Sequence, residues 1–127
     1  LHYNTIFFSM TKHKETGIKG EQIAENFLLK KGYTILERNW RFGKKEIDII
    51  AESNGLLIFI EVKTRAPTYF GYPEDAVSAS KQDFMKLSAE AYIVEHVQFS
   101  EVRFDVISII FVKDIVKEIL HIEDAFY

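Results

Sequence analysis

The chain has 127 residues, long enough for one domain with one sizeable core, and 47% of them are hydrophobic against 28% charged, so no stretch reads as compositionally disordered. It has no cysteine, which excludes a disulfide framework, a thiolate zinc site and a cysteine nucleophile and fits a reducing cytoplasm, the expected location. A net charge of −3 argues against a generic nucleic-acid coat protein, yet residues 1–73 carry 11 Lys/Arg against 8 Asp/Glu and residues 74–127 carry 5 against 11, so phosphate contact is to be sought in the first half.

Ile6, Phe7 and Phe8 form an apolar run too brief for a signal-peptide core, with no basic segment ahead of it. Residues 1–12 read as an N-terminal arm or extension and 13–127 as a single domain, with Met10 just ahead of a lysine-rich stretch. From Gly20 to Lys31, Ile23, Ala24, Phe27 and Leu28 recur at helical spacing, and Gly32 is a natural stop. Tyr33 to Trp40 reads as a strand, Phe42 to Lys45 as a glycine-containing turn, Glu46 to Glu52 as a second strand and Leu56 to Arg65 as a third. The third strand is apolar on both parities from Leu56 to Ile60, as expected of a central strand covered on both faces, and that run is too short to cross a bilayer.

Ala66 to Pro73 is a loop with two prolines and Gly71. Ser80 with Asp83 resembles a capping box opening a helix to about Glu95, with Phe84, Leu87, Ala91 and Val94 on one stripe. Val102 to Val112 and Ile115 to Ile122 read as two strands joined by Lys113-Asp114. The order is α-β-β-β-α-β-β. Its β-α-β step predicts a parallel, right-handed crossover, hence an α/β domain with a mixed central sheet flanked by helices.

Asn54-Gly55 is the strongest short-range signal for a two-residue type I′ hairpin. Asp48 lies six residues before that turn and Glu61 six after it, so the two face each other across the hairpin, with Cβ atoms roughly 4.5–5.5 Å apart. Lys63, two residues beyond Glu61, projects from the same face. Facing buried carboxylates repel unless a cation offsets them, and carboxylate oxygens with water suit Mg²⁺ or Mn²⁺. Lysine beside them suits phosphodiester cleavage, orienting or deprotonating the attacking water or stabilising charge on the phosphate. The bland alternative is an internal Lys63–carboxylate ion pair at a strand end. Glu21 and Glu25 flank the apolar stripe of the first helix, and Glu25 reaches the metal if that helix packs over the strand ends; otherwise both belong to a solvated flank. Glu46 shares the parity of Asp48 and is a reserve ligand or a surface residue.

Gly20-Glu21 with Ala24-Glu25, Asn39, Glu46-Ile47-Asp48-Ile49-Ile50-Ala51, Phe59-Ile60-Glu61-Val62-Lys63-Thr64-Arg65, Phe70-Gly71-Tyr72-Pro73 and Arg103-Phe104-Asp105 together resemble the YraN-like bacterial proteins, from about residue 17 to the C-terminus. These are small, mostly uncharacterised predicted endonucleases, similar in fold to archaeal Holliday junction resolvases. The resemblance implies a restriction-endonuclease-like core of the PD-(D/E)xK type with Glu25, Asp48, Glu61 and Lys63 in the active-site positions, and with Asp48, Glu61 and Glu25 as metal ligands. The family usually has glycine immediately before its Glu-Ile-Asp motif, where this chain has Lys45, which alters the loop or adds a phosphate contact.

Arg65, Arg41, Lys44 and Lys81 are candidate phosphate contacts, each with a solvated charge as the alternative. Tyr69, Phe70 and Tyr72 are candidates for stacking on unpaired bases, whereas Trp40 reads as core. Arg103 and Asp105 share parity and read as a buried ion pair supporting the sheet. The four histidines are scattered without ligand spacing, and no phosphate loop, serine triad or dinucleotide fingerprint appears. The expectation is a Mg²⁺- or Mn²⁺-dependent DNA endonuclease acting on duplex, branched or otherwise non-standard DNA, with no small-molecule cofactor and no membrane partner. Its rivals are a nuclease-fold module that holds DNA or a repair partner without cutting, and a scaffold with no nucleic-acid role. Junction-cutting relatives of this fold act as dimers, though no interface signature stands out in this chain.

Overall fold

The computed structural model describes residues 9–66 and 77–127, and the side chains of the first helix from Lys19 onward. Its elements run α1 (Ser9–Lys30), β1 (Thr34–Phe42), β2 (Lys45–Ser53), β3 (Leu56–Arg65), α2 (Ala79–Val94), β4 (Val102–Val112) and β5 (Ile115–Phe126). The five strands form one mixed sheet in the order β1-β2-β3-β4-β5. Only the β3–β4 pair, joined through α2, is parallel; the other three pairs are antiparallel. The order expected from the periodicities is therefore the order found, an α/β architecture consistent with a restriction-endonuclease-like fold. The first helix starts earlier than the apolar stripe implied, at Ser9, inside the stretch read as an arm. None of the described helices is long and apolar enough to cross a membrane.

Two hairpin turns share one backbone form. Asn54 (φ 52°) and Gly55 (φ 80°) both take the left-handed conformation of a type I′ turn. Lys113 (φ 52°) and Asp114 (φ 63°) do the same without a glycine.

The sheet is coated on both faces, and β3 shows why its sequence lacks alternation. Leu57 and Phe59 enter the core under α2, Ile58 and Ile60 the core under α1, and all four are fully buried. Ala24 and Leu28 carry α1 onto its face, with Ile23 and Phe27 partly buried beside them, as the stripe predicted.

The second helix differs from expectation in two respects. Its N-cap is Ser78, whose Oγ accepts the Lys81 N–H at 3.2 Å; Ser80 lies inside the helix. Its buried face is Phe84, Met85, Ser88, Ala89 and Tyr92, while Leu87 and Val94 point outward at 56% and 74% exposure. The aromatic anchors decide this rotation. Tyr92 packs edge-on against Trp40 and Phe59 and donates its hydroxyl to Glu37, and Leu87 and Val94 offer no comparable area or polar handle.

Candidate active site at the open end of the β2–β3 hairpin

The type I′ turn sets the register that brings the candidate ligands together. Every observed β2–β3 pair, from Ser53–Leu56 to Ile49–Ile60, has the alignment that places Asp48 opposite Glu61. The pairing ends at Ile49–Ile60, one step before Asp48. There the Asp48 carboxylate replaces the ladder, its Oδ2 accepting the Val62 N–H at 2.8 Å. A glutamine or lysine at this position would be too long to make that contact from the same backbone, so the short acid suits the opening of the hairpin.

Strict alternation also fails here. Ile47 and Ile50 both enter the core under α2, whereas Ile49 and Ala51 enter the core under α1. On β1 the neighbouring Asn39 adopts φ 50°, and Arg38, Asn39, Asp48 and Ile49 all line one pocket with Glu21, Gln22 and Glu25 of α1. Its volume is about 270 Å³. Glu61 and Lys63 instead line an open groove of about 510 Å³ with Thr64, Arg65, Ser78 and Lys81, at the start of α2. The site thus straddles the sheet, acidic on the α1 side and rich in cations on the α2 side.

Close approach of α1 rests on Gly20. A Cβ at that position would lie 2.2 Å from Thr64 Cγ2, so only glycine lets the helix sit against the end of β3. The next residue, Glu21, then comes under Asp48. Burial raises the Glu21 carboxyl; a hydrogen bond with Asn39 opposes this, and the charges of Glu46 and Glu61 push it further up. Asp48 is pushed up to about 7, first by burial, then by the charge of Glu61 and to a lesser degree that of Glu21; the Val62 N–H and the Lys81 charge act in the opposite sense.

Glu25 lines the same pocket but is already engaged. Arg38 clasps it with two hydrogen bonds, Nε to Oε1 at 2.5 Å and Nη2 to Oε2 at 2.7 Å, and that contact lowers its pKa. The helix glutamate that feels Asp48 and Glu61 is therefore Glu21. It was legible as one of two equivalent flank positions; the glycine before it, in the middle of an amphipathic helix, was the signal favouring it. Arg38 had no sequence signal.

Lys81 meets Glu61, Nζ to Oε1 at 3.4 Å, and Arg65 lines the groove beside it. Arg41 pairs with Glu46 at 3.2 Å on the exposed side of β1–β2, and Lys44 is exposed in the turn between those strands. Trp40, partly buried, packs against the core under α2 between Phe42 and Tyr92. Tyr69, Phe70 and Tyr72 lie outside the described residues. Among the described residues no group of three or more histidine, aspartate or glutamate side chains is so placed that it could hold a metal ion as they stand. The carboxylate oxygens are turned instead toward the Val62 N–H, Asn39 and Lys81.

Arg103 and Asp105 form the buried pair expected of them. Asp105 is fully buried and accepts Arg103 Nε and Nη2, each at 2.8 Å, with His121 Nε2 at 2.8 Å and the Asp124 N–H at 2.9 Å. Burial alone would raise its carboxyl, but the hydrogen bonds from His121, Arg103 and Asp124 hold it below the ordinary aspartate value.

A mixed five-stranded sheet between two helices, with carboxylates where a central hairpin opens, makes this an α/β protein whose architecture is consistent with a restriction-endonuclease-like fold. The family model of the uncharacterised protein family UPF0102 matches residues 20–109, and the chain belongs to that family, the YraN-like proteins. UPF0102 proteins of Phocaeicola vulgatus and Flavobacterium psychrophilum are 48% and 42% identical to it, each over 93% of this chain and 97% and 98% of their own. One from Dictyoglomus thermophilum is 48% identical over 80% of this chain and 86% of its own. Among solved structures, Pyrococcus furiosus SfsA in complex with Ca²⁺ is similar at 17% identity and a TM-score of 0.34, covering 87% of this chain and 63% of that one, too slight a likeness to carry structural inference.

Proposed function

We propose that the protein is a DNA endonuclease that uses Mg²⁺ or Mn²⁺, with Asp48, Glu61 and Glu21 as the metal-holding carboxylates. The observation that carries this reading is the half-buried Asp48, held by the Val62 N–H in the register that sets it opposite Glu61 and lining one pocket with Glu21, beside a groove lined by Lys63, Arg65 and Lys81. Uncompensated, carboxylates set together in this way are unfavourable, and an all-oxygen donor set fits a hard divalent cation. When bound, the cation supplies polarisation of the phosphate and a lowered pKa for its water.

The remaining work falls to the chain itself. Asp48, pinned by the Val62 N–H, keeps one oxygen in fixed register with the strand that carries Glu61. Lys63, on the groove side, orients the attacking water and stabilises charge developing on the phosphate. Arg65 and Lys81 hold the DNA backbone in the groove, where contacts position the substrate without reading its sequence. Glu25 takes a supporting part, fixing Arg38 at the rim of the acidic pocket.

Calorimetric titration with Mn²⁺ should give binding that Asp48→Asn and Glu61→Gln abolish and Glu21→Gln weakens more than Glu25→Gln does; binding unchanged in the first two sinks the site. A panel of duplex, flap, junction and single-stranded DNAs should be cut by the native chain and not by Lys63→Ala. Binding of the panel without any cleavage by the native chain would replace this reading with that of a non-cutting DNA-holding module.

A further inference from the structure

We propose that Lys81 is an exchangeable counter-cation: it neutralises Glu61 while the carboxylate site is metal-free, and when a divalent cation takes Glu61 it transfers to a DNA phosphate in the adjoining groove. This rests on the reading of Asp48 and Glu61 as metal ligands and adds to it a coupling between metal binding and DNA binding.

The geometry supports the exchange from several sides. Lys81 Nζ lies 3.4 Å from Glu61 Oε1, with the two side chains only 27% and 18% exposed, so the ion pair is partly buried in the wall of the groove that both residues line. The lysine stands in the first turn of α2, fixed there by the Ser78 cap, and its side chain lines the same groove as Lys63 and Arg65. Its ammonium lies 5.3 Å from the centre of the Phe84 ring, which also faces the Lys45 ammonium at 5.6 Å. That ring is a buried platform on which the lysine stem can pivot from the carboxylate toward the groove without losing its packing.

A lysine is suited to this role by its chemistry. Its ammonium is a compact point charge on a flexible four-carbon stem, so it can neutralise one carboxylate and be displaced by a more highly charged ion. At 3.4 Å the pair is loose beside the bidentate Arg38–Glu25 clasp at 2.5 and 2.7 Å. One lysine cannot neutralise Glu61 and a phosphate at the same time. Metal entry therefore frees a cation for DNA, and by reciprocity DNA phosphate that draws Lys81 away raises the affinity for metal by the same factor.

The test uses the full chain as native protein, Lys81→Met, Lys81→Gln and Lys81→Arg, with thermal melts to establish that each is folded. Without DNA, both neutral variants should bind Mn²⁺ roughly two- to fivefold more tightly than native, the range expected for removing a competing partly exposed ion pair, while Lys81→Arg stays within that factor of native. A labelled four-way junction is then titrated in EDTA and in Ca²⁺ at matched ionic strength. Native protein should gain affinity with Ca²⁺, and the gain should shrink by roughly the same factor in the neutral variants. Unchanged or weaker Mn²⁺ binding in both neutral variants, or an undiminished Ca²⁺ gain, overturns the exchange while leaving the carboxylate site standing. Absence of Mn²⁺ binding by native protein overturns both.

Discussion

Asp48 shows how far one side chain can be pushed by its setting. Its carboxyl rises from 3.8 to about 7 in the folded chain, so the folded state holds that proton more tightly than the unfolded state does. The resulting stabilisation is full below pH 3.8 and is lost as the pH climbs through 7, where an ionised Asp48 must face Glu61 and Glu21. Asp48→Asn keeps an oxygen for the Val62 N–H and removes the charge. In EDTA the variant should melt several degrees above native at pH 8, with the advantage shrinking toward pH 5; about 4 °C corresponds to 1 kcal/mol in a domain of this size. Melting curves at pH 5, 6, 7 and 8 check this, and a difference that stays flat with pH would show that Asp48 is not the group under strain. Mn²⁺ should raise the melting temperature of native protein and not that of the variant.

At the scale of elements, the site is assembled by how closely α1 approaches β3, and Gly20 sets that distance. Adding a methyl there gains helix propensity of up to about 1 kcal/mol, but it overlaps Thr64 Cγ2 on a β-branched side chain that has little freedom to turn away. Overpacking of this kind costs ~1–3 kcal/mol, so Gly20→Ala should be net destabilising and should weaken Mn²⁺ binding by shifting Glu21 away from Asp48. Thr64→Ala in the same chain removes the obstructing methyl and should restore much of both. Unaltered stability and Mn²⁺ affinity in Gly20→Ala would mean that the helix is not held at this contact. The same element explains what the sequence could and could not reveal. The β2–β3 register was legible because Asn54-Gly55 admits one turn type, and the helix stripe because Ala24 and Leu28 repeat at helical spacing. Which of Glu21 and Glu25 faces Asp48 depends on helix rotation, which is decided by packing against Thr64 and by an arginine from β1. The irregularity at Asn39 and Asp48 was hidden for a related reason: alternation assumes that every residue continues the ladder, and here a side chain substitutes for it. On α2 the apolar stripe misled because Leu87 and Val94 count equally with Tyr92 in a pattern, though not in a core of aromatic rings.

Over the whole molecule, the buried charge network and the proposed site occupy adjacent register positions of the central strands and share no side chain. Arg103 is registered against Ile58 and Asp105 against Ile60, while Val106 and Ser108, further along β4, face Glu61 and Lys63. The Asp105 carboxylate joins β4 to β5 through His121 and the Asp124 N–H. Through Arg103 and the Tyr33 hydroxyl at 3.0 Å it reaches the start of β1, and through His121 and Lys31 at 2.8 Å it reaches the end of α1. All four lone-pair directions of a fully buried charge are thus used, which is the condition under which such a charge is tolerated. Removing it takes two hydrogen bonds from the Arg103 guanidinium, which keeps Tyr33 and Glu123, and one each from His121 and the Asp124 N–H, so Asp105→Ala should cost ~3–5 kcal/mol, a large share of what a domain of this size possesses. Asp105→Asn keeps an acceptor for one donor and should cost less. Because the network shares no side chain with Glu21, Asp48 or Glu61, Asp105→Asn, measured at a temperature where it remains folded, should bind Mn²⁺ with native affinity. Denaturant unfolding paired with calorimetry separates the two quantities, and a matched fall in both would show that the buried network also holds the hairpin open at Asp48.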